Sequence, residues 1–244
     1  MANFRDVLYD RYVSTFKGRA ERSVEQDLPG FFAWCDHKYA PLVDDIPRAA
    51  AVLELGCGPG HMLTYLRNKG FEQVEGIDIS AEQIEIATRA GLRAEVADVF
   101  AYLDGSRRWR VILALDFVEH FSKDELMRLV PAVRSCLEPG GVLILQTPNG
   151  AGLFPHQIVY GDLTHMTIFT PESLRQLLRL HGLGDFRFSE TGPVAKDLRG
   201  RLRLAAWRTI RQAANLVRAI ETGKTQEVWT ENLICRCRRI DDAA

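Results

Sequence analysis

Val52-Leu53-Glu54-Leu55-Gly56-Cys57-Gly58-Pro59-Gly60 reads as a short apolar strand running into a glycine-rich turn, with a helix beginning near His61. Glycine has no Cβ, so the backbone can take positive φ and a ligand can come close to it. The helix start beyond the turn offers free N–H groups to something negative. The spacing Gly-x-Gly-x-Gly is neither the Gly-x-Gly-x-x-Gly of dinucleotide folds nor a phosphate loop ending in Gly-Lys-Ser/Thr. Glu54, at the strand end, is a poor neighbour for a pyrophosphate and a good one for a cation.

Outward from this turn, residues 61–69 read as a helix closed by Gly70, and 73–77 as a second strand ended by Asp78. Asp78 lies about 20 residues past the turn, where an acid accepts hydrogen bonds from ribose hydroxyls in nucleotide folds, and Ile79 beside it can pack on a base. Ser80 with Gln83 is a capping-box pattern for a helix to about Ala90. Residues 92–97 form a third strand ended by Asp98. Trp109–Leu115 is apolar except for Arg110, as the buried centre of a parallel sheet requires. It leads into Asp116-Phe117-Val118-Glu119-His120. An amphipathic helix over 123–137, a tight turn at Glu138-Pro139-Gly140-Gly141 and a fifth strand over 142–146 follow, ending at Thr147-Pro148-Asn149. Strand and helix alternate five times, which predicts an α/β fold with a parallel sheet and helices on both faces. Ligands in such sheets bind beyond the strand carboxyl ends. Glu54, Asp78, Asp98, Asp116 and Asn149 all fall there.

The Glu54–Gly60 stretch resembles the first motif of class I methyltransferases that use S-adenosylmethionine. Asp116-x-x-Glu119-His120 and Leu137-Glu-Pro-Gly-Gly-Val-Leu-Ile-Leu145 are similar to later segments of the same family. The likeness covers residues 50–190 well and the two ends loosely. It implies a Rossmann-like, mostly parallel seven-stranded sheet: a helical cover over residues 1–47, a cofactor-binding core over 48–190, and a basic amphipathic helix with a final antiparallel strand (228–237) in 191–240. It further implies that Gly56, Gly58 and Gly60 pass under the amino-acid end of the cofactor, with Glu54 close by. Asp78 would take the ribose, Ile79 the adenine face, and Asp98 with the Val99 N–H the adenine edge. Leu115, Glu119 and His120 would line the methionine end. In the cover, Tyr9 and Tyr12 are the residues expected near substrate.

Residues 150–170 form a loop too long for a plain connection, and such loops are usually functional. Thr170 and Pro171 then open a helix to about Leu180. Asp162-x-Thr164-His165 followed by Phe169-Thr170-Pro171-x-Ser173-Leu174 resembles a group of bacterial methyltransferases linked to sugars and cell-surface polysaccharide. That resemblance implies O-methylation of a sugar hydroxyl in a glycan or glycolipid precursor. His165 is then the candidate general base, since an imidazole titrates near neutral pH, and Asp162 its orienting partner. A structural histidine that locks the loop is the other reading. Tyr160 and Asn149 are candidate substrate contacts. A ubiquinone-type or other small phenolic acceptor is the alternative within the class; a NAD-type oxidoreductase or a non-catalytic partner subunit are the alternatives outside it. The missing Gly-x-Gly-x-x-Gly and the presence of Glu54 speak against NAD. The lack of an Asn/Asp-Pro-Pro-Tyr motif after the fourth strand speaks against amino methylation of bases or glutamine.

The chain has 244 residues and a formal net charge of −1, enough for one large α/β domain and without the basic field that nucleic acid would attract. Its five cysteines match no zinc spacing, and no metal-ligand cluster is visible. Cys235 and Cys237, two apart in a strand, share one face. No leading apolar segment of signal-peptide form and no membrane-length apolar run stand out, so a cytoplasmic chain is the expectation. Over 198–220, Leu198, Leu202, Ala206, Ile210, Ala213, Val217 and Ile220 follow a helical stripe. The arginines lie mostly elsewhere, and Leu204 and Trp207 fall on the basic side. This helix has three expected partners: the inner membrane face, a second subunit of a homodimer, or the core.

Overall fold

The computed structural model describes residues 27–240. Seven strands form one sheet: β1 (Ala51–Leu55), β2 (Gln73–Asp78), β3 (Arg93–Val96), β4 (Trp109–Leu115), β5 (Leu137–Pro148), β6 (Leu183–Glu190) and β7 (Asn232–Arg239). Their order is β3-β2-β1-β4-β5-β7-β6. Pairing is parallel throughout except that β7 runs antiparallel to β5 and β6. The chain lays down β1 to β3 in one direction and resumes with β4 on the other side of β1. A crevice therefore opens at the carboxyl ends of β1 and β4, where such folds bind ligands. The expected Rossmann-like, mostly parallel seven-stranded sheet is the one observed.

Side chains alternate across this sheet with period two, and the alternation divides the core. Val52, Val111, Leu113, Val142 and Ile144 face one layer with α1 (Leu28–Lys38), α2 (Ala40–Val43), α3 (His61–Asn68) and α4 (Ala81–Arg89). Leu53, Leu55, Ile112, Ala114, Leu143 and Leu145 face the other. That layer holds α5 (Val99–Tyr102), α6 (Lys123–Cys136) and, after the short α7 (His156–Tyr160), α8 (Pro171–Leu180). Cys235 and Cys237 do share a face, buried in the second layer. Residues 35–46 share one apolar cluster with the sheet through Cys35, Tyr39, Leu42, Val43 and Ile46. Buried leucines such as Leu113 each hold about 2–5 kcal/mol against truncation to alanine.

Local signals place the helix starts. The Ser80 hydroxyl accepts from the Gln83 N–H (3.4 Å). Ser122 and Glu125 form a reciprocal capping box, as do Thr170 and Ser173. Three expectations change. The turn at 138–141 is absorbed into β5: Trp109 pairs with Leu137 and Val111 with Val142, so the extra residues bulge, with Gly140 at φ +65°. The last strand begins at Asn232 rather than 228, because the Val228 and Thr230 carbonyls are taken by the Asn149 side chain instead of by a ladder. The third concerns α9 (Leu198–Thr222). It meets the domain with the face of Leu204, Trp207 and Arg211, and the apolar stripe read from the sequence points outward. Trp207 Nε1 donates to Glu190 (2.9 Å), and Arg211 pairs with the same carboxylate (3.2 Å).

Candidate active site

One side of the crevice is built from backbone and strand-end carboxylates. Gly56, Gly58 and Gly60 all have positive φ, at 70°, 51° and 83°. A Cβ on Gly56 would meet the Phe117 ring at 2.6 Å, and one on Gly60 would meet Leu92 at 2.2 Å. A Cβ on Gly58 would meet only Gln83, at 3.9 Å, so the space over Gly58 is open. Asp78 holds this turn: its Oδ2 accepts from the Gly58 N–H (2.9 Å) and its Oδ1 from the Ser80 N–H (2.8 Å). Each carboxylate oxygen keeps a lone pair for a further donor, as a vicinal diol requires. Ile79 and Val96, both more than half exposed at the adjoining strand ends, give an apolar bed beside the diol site. Val99 is buried, and Asp98 caps α5 by accepting from Phe100 and Ala101 (3.0 and 3.1 Å), both through Oδ1.

Glu54 lies under the turn, 4% exposed, and its Oε2 is buried with no hydrogen-bond partner. Burial, with the Asp78 carboxylate adding to it, pushes the Glu54 carboxyl well above the usual carboxylate range. A buried carboxyl lacking a partner, under an open glycine cradle, fits a ligand that brings a cation to one end and a diol to the other.

The other side is built from side chains far apart in sequence. The loop between β5 and α8 is closed at its base by Asn149 and Phe169, whose carbonyl accepts from Gly150 (2.7 Å). Its tip is tied to the 3₁₀ turn Val118–His120: the Glu119 carbonyl accepts from Met166 (2.8 Å) and Thr167 (3.0 Å), and Thr167 Oγ1 donates to Phe121 (2.7 Å). Thr164 Oγ1 gives its one proton to Asp162 Oδ1 (2.6 Å), so His120 Nδ1, 2.9 Å away, is the donor to that hydroxyl. His165 Nδ1 faces the Val159 carbonyl at 3.4 Å, an acceptor only, so Nδ1 is a donor and Nε2 is the nitrogen turned towards the loop's carboxylate. That Nε2 is 4.0 Å from Asp162 Oδ2. The two imidazoles lie 5.2 Å apart beside the fully buried Glu119.

The candidate residues thus separate. Glu54, Gly56, Gly58, Gly60, Asp78, Ile79, Asp98 and Val99 gather around the β1–β2–β3 ends, with Leu115, Glu119 and His120 at the end of β4. Asp162 and His165 meet the last two of these through the loop. Asn149 has a different task from the expected one. It is fully buried, its amide donates both protons to Val228 and Thr230 (3.2 and 3.0 Å), and its oxygen accepts from Ala151 (3.1 Å), so its polar atoms face the protein and none reaches the surface for substrate. Tyr160 stands on the rim, 77% exposed against His156. Tyr9 and Tyr12 lie outside the described residues. No metal-ligand cluster was visible along the sequence, yet folding brings ligand atoms of Glu119, His120 and His165 within 4.8 Å of one another. A chain of three residues was also missed. Tyr39 donates to Gln146 Oε1 (2.7 Å), and Gln146 Nε2 to both oxygens of Asp116 (3.0 Å each). Asp116 has φ +49°, the strained geometry that clusters at functional sites.

A family model described as a methyltransferase domain matches residues 31–185. Among characterised relatives, a trans-aconitate 2-methyltransferase of Variovorax paradoxus is 30% identical over 118 residues, 47% of this chain and 44% of that protein. Another from Mycobacterium tuberculosis (strain ATCC 25177 / H37Ra) is 30% identical over 134 residues, 49% of this chain and 47% of that protein. The chain spans under half the length of these relatives. Among solved structures, the magnesium protoporphyrin IX methyltransferase of Synechocystis PCC 6803 with bound SAM superposes with a TM-score of 0.62 at 16% identity, covering 98% of each chain. A SAM-dependent methyltransferase from Archaeoglobus fulgidus gives 0.61 at 16% identity, over 95% of this chain and 98% of that one.

Proposed function

We propose that this chain, which belongs to the methyltransferase-domain family and is an S-adenosylmethionine-dependent enzyme, methylates a hydroxyl oxygen of a sugar in a glycan or glycolipid precursor. Bound S-adenosylmethionine supplies a methyl group on a sulfonium and leaves as S-adenosylhomocysteine. Glu54 would hold its ammonium, giving up the carboxyl proton as it binds, Asp78 would hold its ribose diol, and Ile79 with Val96 its adenine. The chain's own contribution to the transfer is to hold the acceptor in line and to take its proton. His165 Nε2 accepts that proton from the hydroxyl, and Asp162 stabilises the imidazolium that results.

The observation that carries this reading is the orientation of His165. Its side chain is 8% exposed, one nitrogen faces the Val159 carbonyl, and the other lies 4.0 Å from the Asp162 carboxylate, where a proton can be taken up and stabilised. A second reading, methylation of a carboxylic acid, rests on the relatives' names. The groups that meet at the acceptor loop are Glu119, His120, Asp162, Thr164 and His165, two carboxyl groups with no lysine or arginine among them, and they suit a neutral polyol better than a tricarboxylate. The test is transfer of labelled methyl from S-adenosylmethionine to a panel of free and nucleotide-linked sugars and to trans-aconitate, followed by mild alkali. A methyl ether survives alkali and a methyl ester releases methanol. Label that is alkali-stable and lost in His165→Ala supports the proposal; label found only on trans-aconitate overturns it.

A further inference from the structure

Helix α9 carries its apolar residues on the side away from the protein. At about 100° per residue, Leu198, Leu202, Leu216 and Ile220 fall in one sector about 40° wide, and Gly200, Trp207 and Arg211 fall opposite, against the domain. The four apolar side chains are 64–78% exposed. Arg201 and Arg208 border this stripe on one side and Arg199 and Arg203 on the other, all exposed. No acidic residue occurs from Leu198 to Ile220, and none of these four arginines forms an ion pair with a described residue, whereas Arg211, on the inner face, pairs with Glu190. No helix among the described residues is long and apolar enough to cross a membrane.

We propose that α9 is an interfacial helix that seats the protein on an anionic lipid bilayer, with the stripe at the headgroup–acyl boundary and the flanking guanidiniums on lipid phosphates. An apolar sector bordered on both sides by unpaired cations is the form such helices take. Charge decides between occupants: lipid phosphates supply the anions that the four arginines lack among the described residues, and a second α9 would bring more arginines and, at its far end, only Glu221. The helix also stands at the site's edge of the sheet. Asn215 accepts from the Gln226 N–H (2.7 Å), and Gln226 Nε2 donates to the Ala151 carbonyl (2.6 Å) in the acceptor loop. Phe154, Tyr160 and Leu163 of that loop are exposed at the same edge. Seating α9 on a bilayer brings the loop to the surface where a lipid-linked acceptor resides. The proposal concerns membrane binding alone and stands whatever the acceptor proves to be.

The test is co-sedimentation of the full chain with vesicles of phosphatidylcholine alone and of phosphatidylcholine with phosphatidylglycerol in equal parts. Two multiple variants accompany it, R199A/R201A/R203A/R208A and L202E/I220E. All six positions are exposed, so circular dichroism and the thermal midpoint should match wild type. The expected result is binding to anionic vesicles only, weakened by salt, reduced at least about a hundredfold in the arginine variant and abolished in L202E/I220E. Wild-type protein that ignores anionic vesicles overturns the proposal. So does binding that survives both variants, which places the contact elsewhere. A dimer that L202E/I220E splits, with no vesicle binding, makes a second copy the occupant and also overturns it.

Discussion

On the β1–β2 side of the crevice, the contacts that shape the site join near neighbours in the chain: Gly58 to Asp78 twenty residues on, Asp78 to Ser80, Asp98 to Phe100. On the β4–β5 side they reach across it. Thr164 meets His120 over 44 residues, Gln146 meets Tyr39 over 107, and Asn149 meets Thr230 over 81. The first side presents backbone N–H groups, open space over a glycine and strand-end carboxylates, a surface for a ligand of fixed shape. The second presents imidazoles and carboxylates on a loop stitched to the 3₁₀ turn. Under the proposed function the difference separates two jobs, holding the cofactor and choosing and activating the acceptor, and predicts that the two can be damaged independently.

The sharpest separation is expected from His165→Ala. Loss of a positioned general base lowers kcat by about 10²–10⁴, while S-adenosylhomocysteine affinity by calorimetry stays at the wild-type value. A parallel loss of affinity would mean that the loop and the cradle act as one unit. Asp78→Ala is the reverse experiment. Two hydrogen bonds to a charged acceptor, each about 1.5–3 kcal/mol, are removed from the ribose, and the Gly58 N–H loses its anchor. The expected rise in Kd is about 10²–10⁴; an unchanged Kd would place the ribose elsewhere. Asn149→Ala should touch neither job. It strands the buried Thr230 carbonyl at about 1–3 kcal/mol, while the Val228 carbonyl keeps the Gln226 Nε2 donor (2.7 Å), so the thermal midpoint falls by about 2–12 °C with cofactor affinity intact. A kcat loss without a stability loss would restore Asn149 as a substrate contact.

The same contrast explains what could be read from the chain before the fold was known. Strand periodicity, the caps at Ser80 and Thr170 and the glycine turn are local signals, and they placed β1 to β4 within a residue or two, whereas β5 and β7 start four or five residues from the expected positions. The Tyr39–Gln146–Asp116 chain carries no local signal, because its members become neighbours only when α1 packs behind β5 and β4. Asn149 looked like a site residue because it ends a parallel strand. What the sequence could not reveal is that the 226–231 segment would fold back and use its amide. On α9 the stripe was legible and its direction was not. A single tryptophan with a partner in Glu190, together with Arg211 on the same carboxylate, outweighed the apolar pattern in deciding which side meets the core.

Glu54 gives the smallest expected effect and a direct probe of the cofactor side. Its folded, unliganded carboxyl titrates well above the usual range because burial and Asp78 disfavour its charge. The folded protein therefore keeps a proton there that the unfolded chain has released. This group's contribution to stability is full below the ordinary carboxylate pKa near 4.3 and is lost as pH rises through the raised value. Ligand binding has the opposite sign. A bound ammonium favours the carboxylate, so binding expels the proton, and affinity for S-adenosylhomocysteine should rise by up to about tenfold per pH unit through the window between the ordinary carboxylate pKa and the raised value. Calorimetry in two buffers of different ionisation enthalpy counts the proton released. Glu54→Gln should bind more weakly, with a flat pH dependence over that window and no proton release. A flat wild-type profile would mean that Glu54 is already ionised without ligand, and that the cation is held by another group on the β1 side.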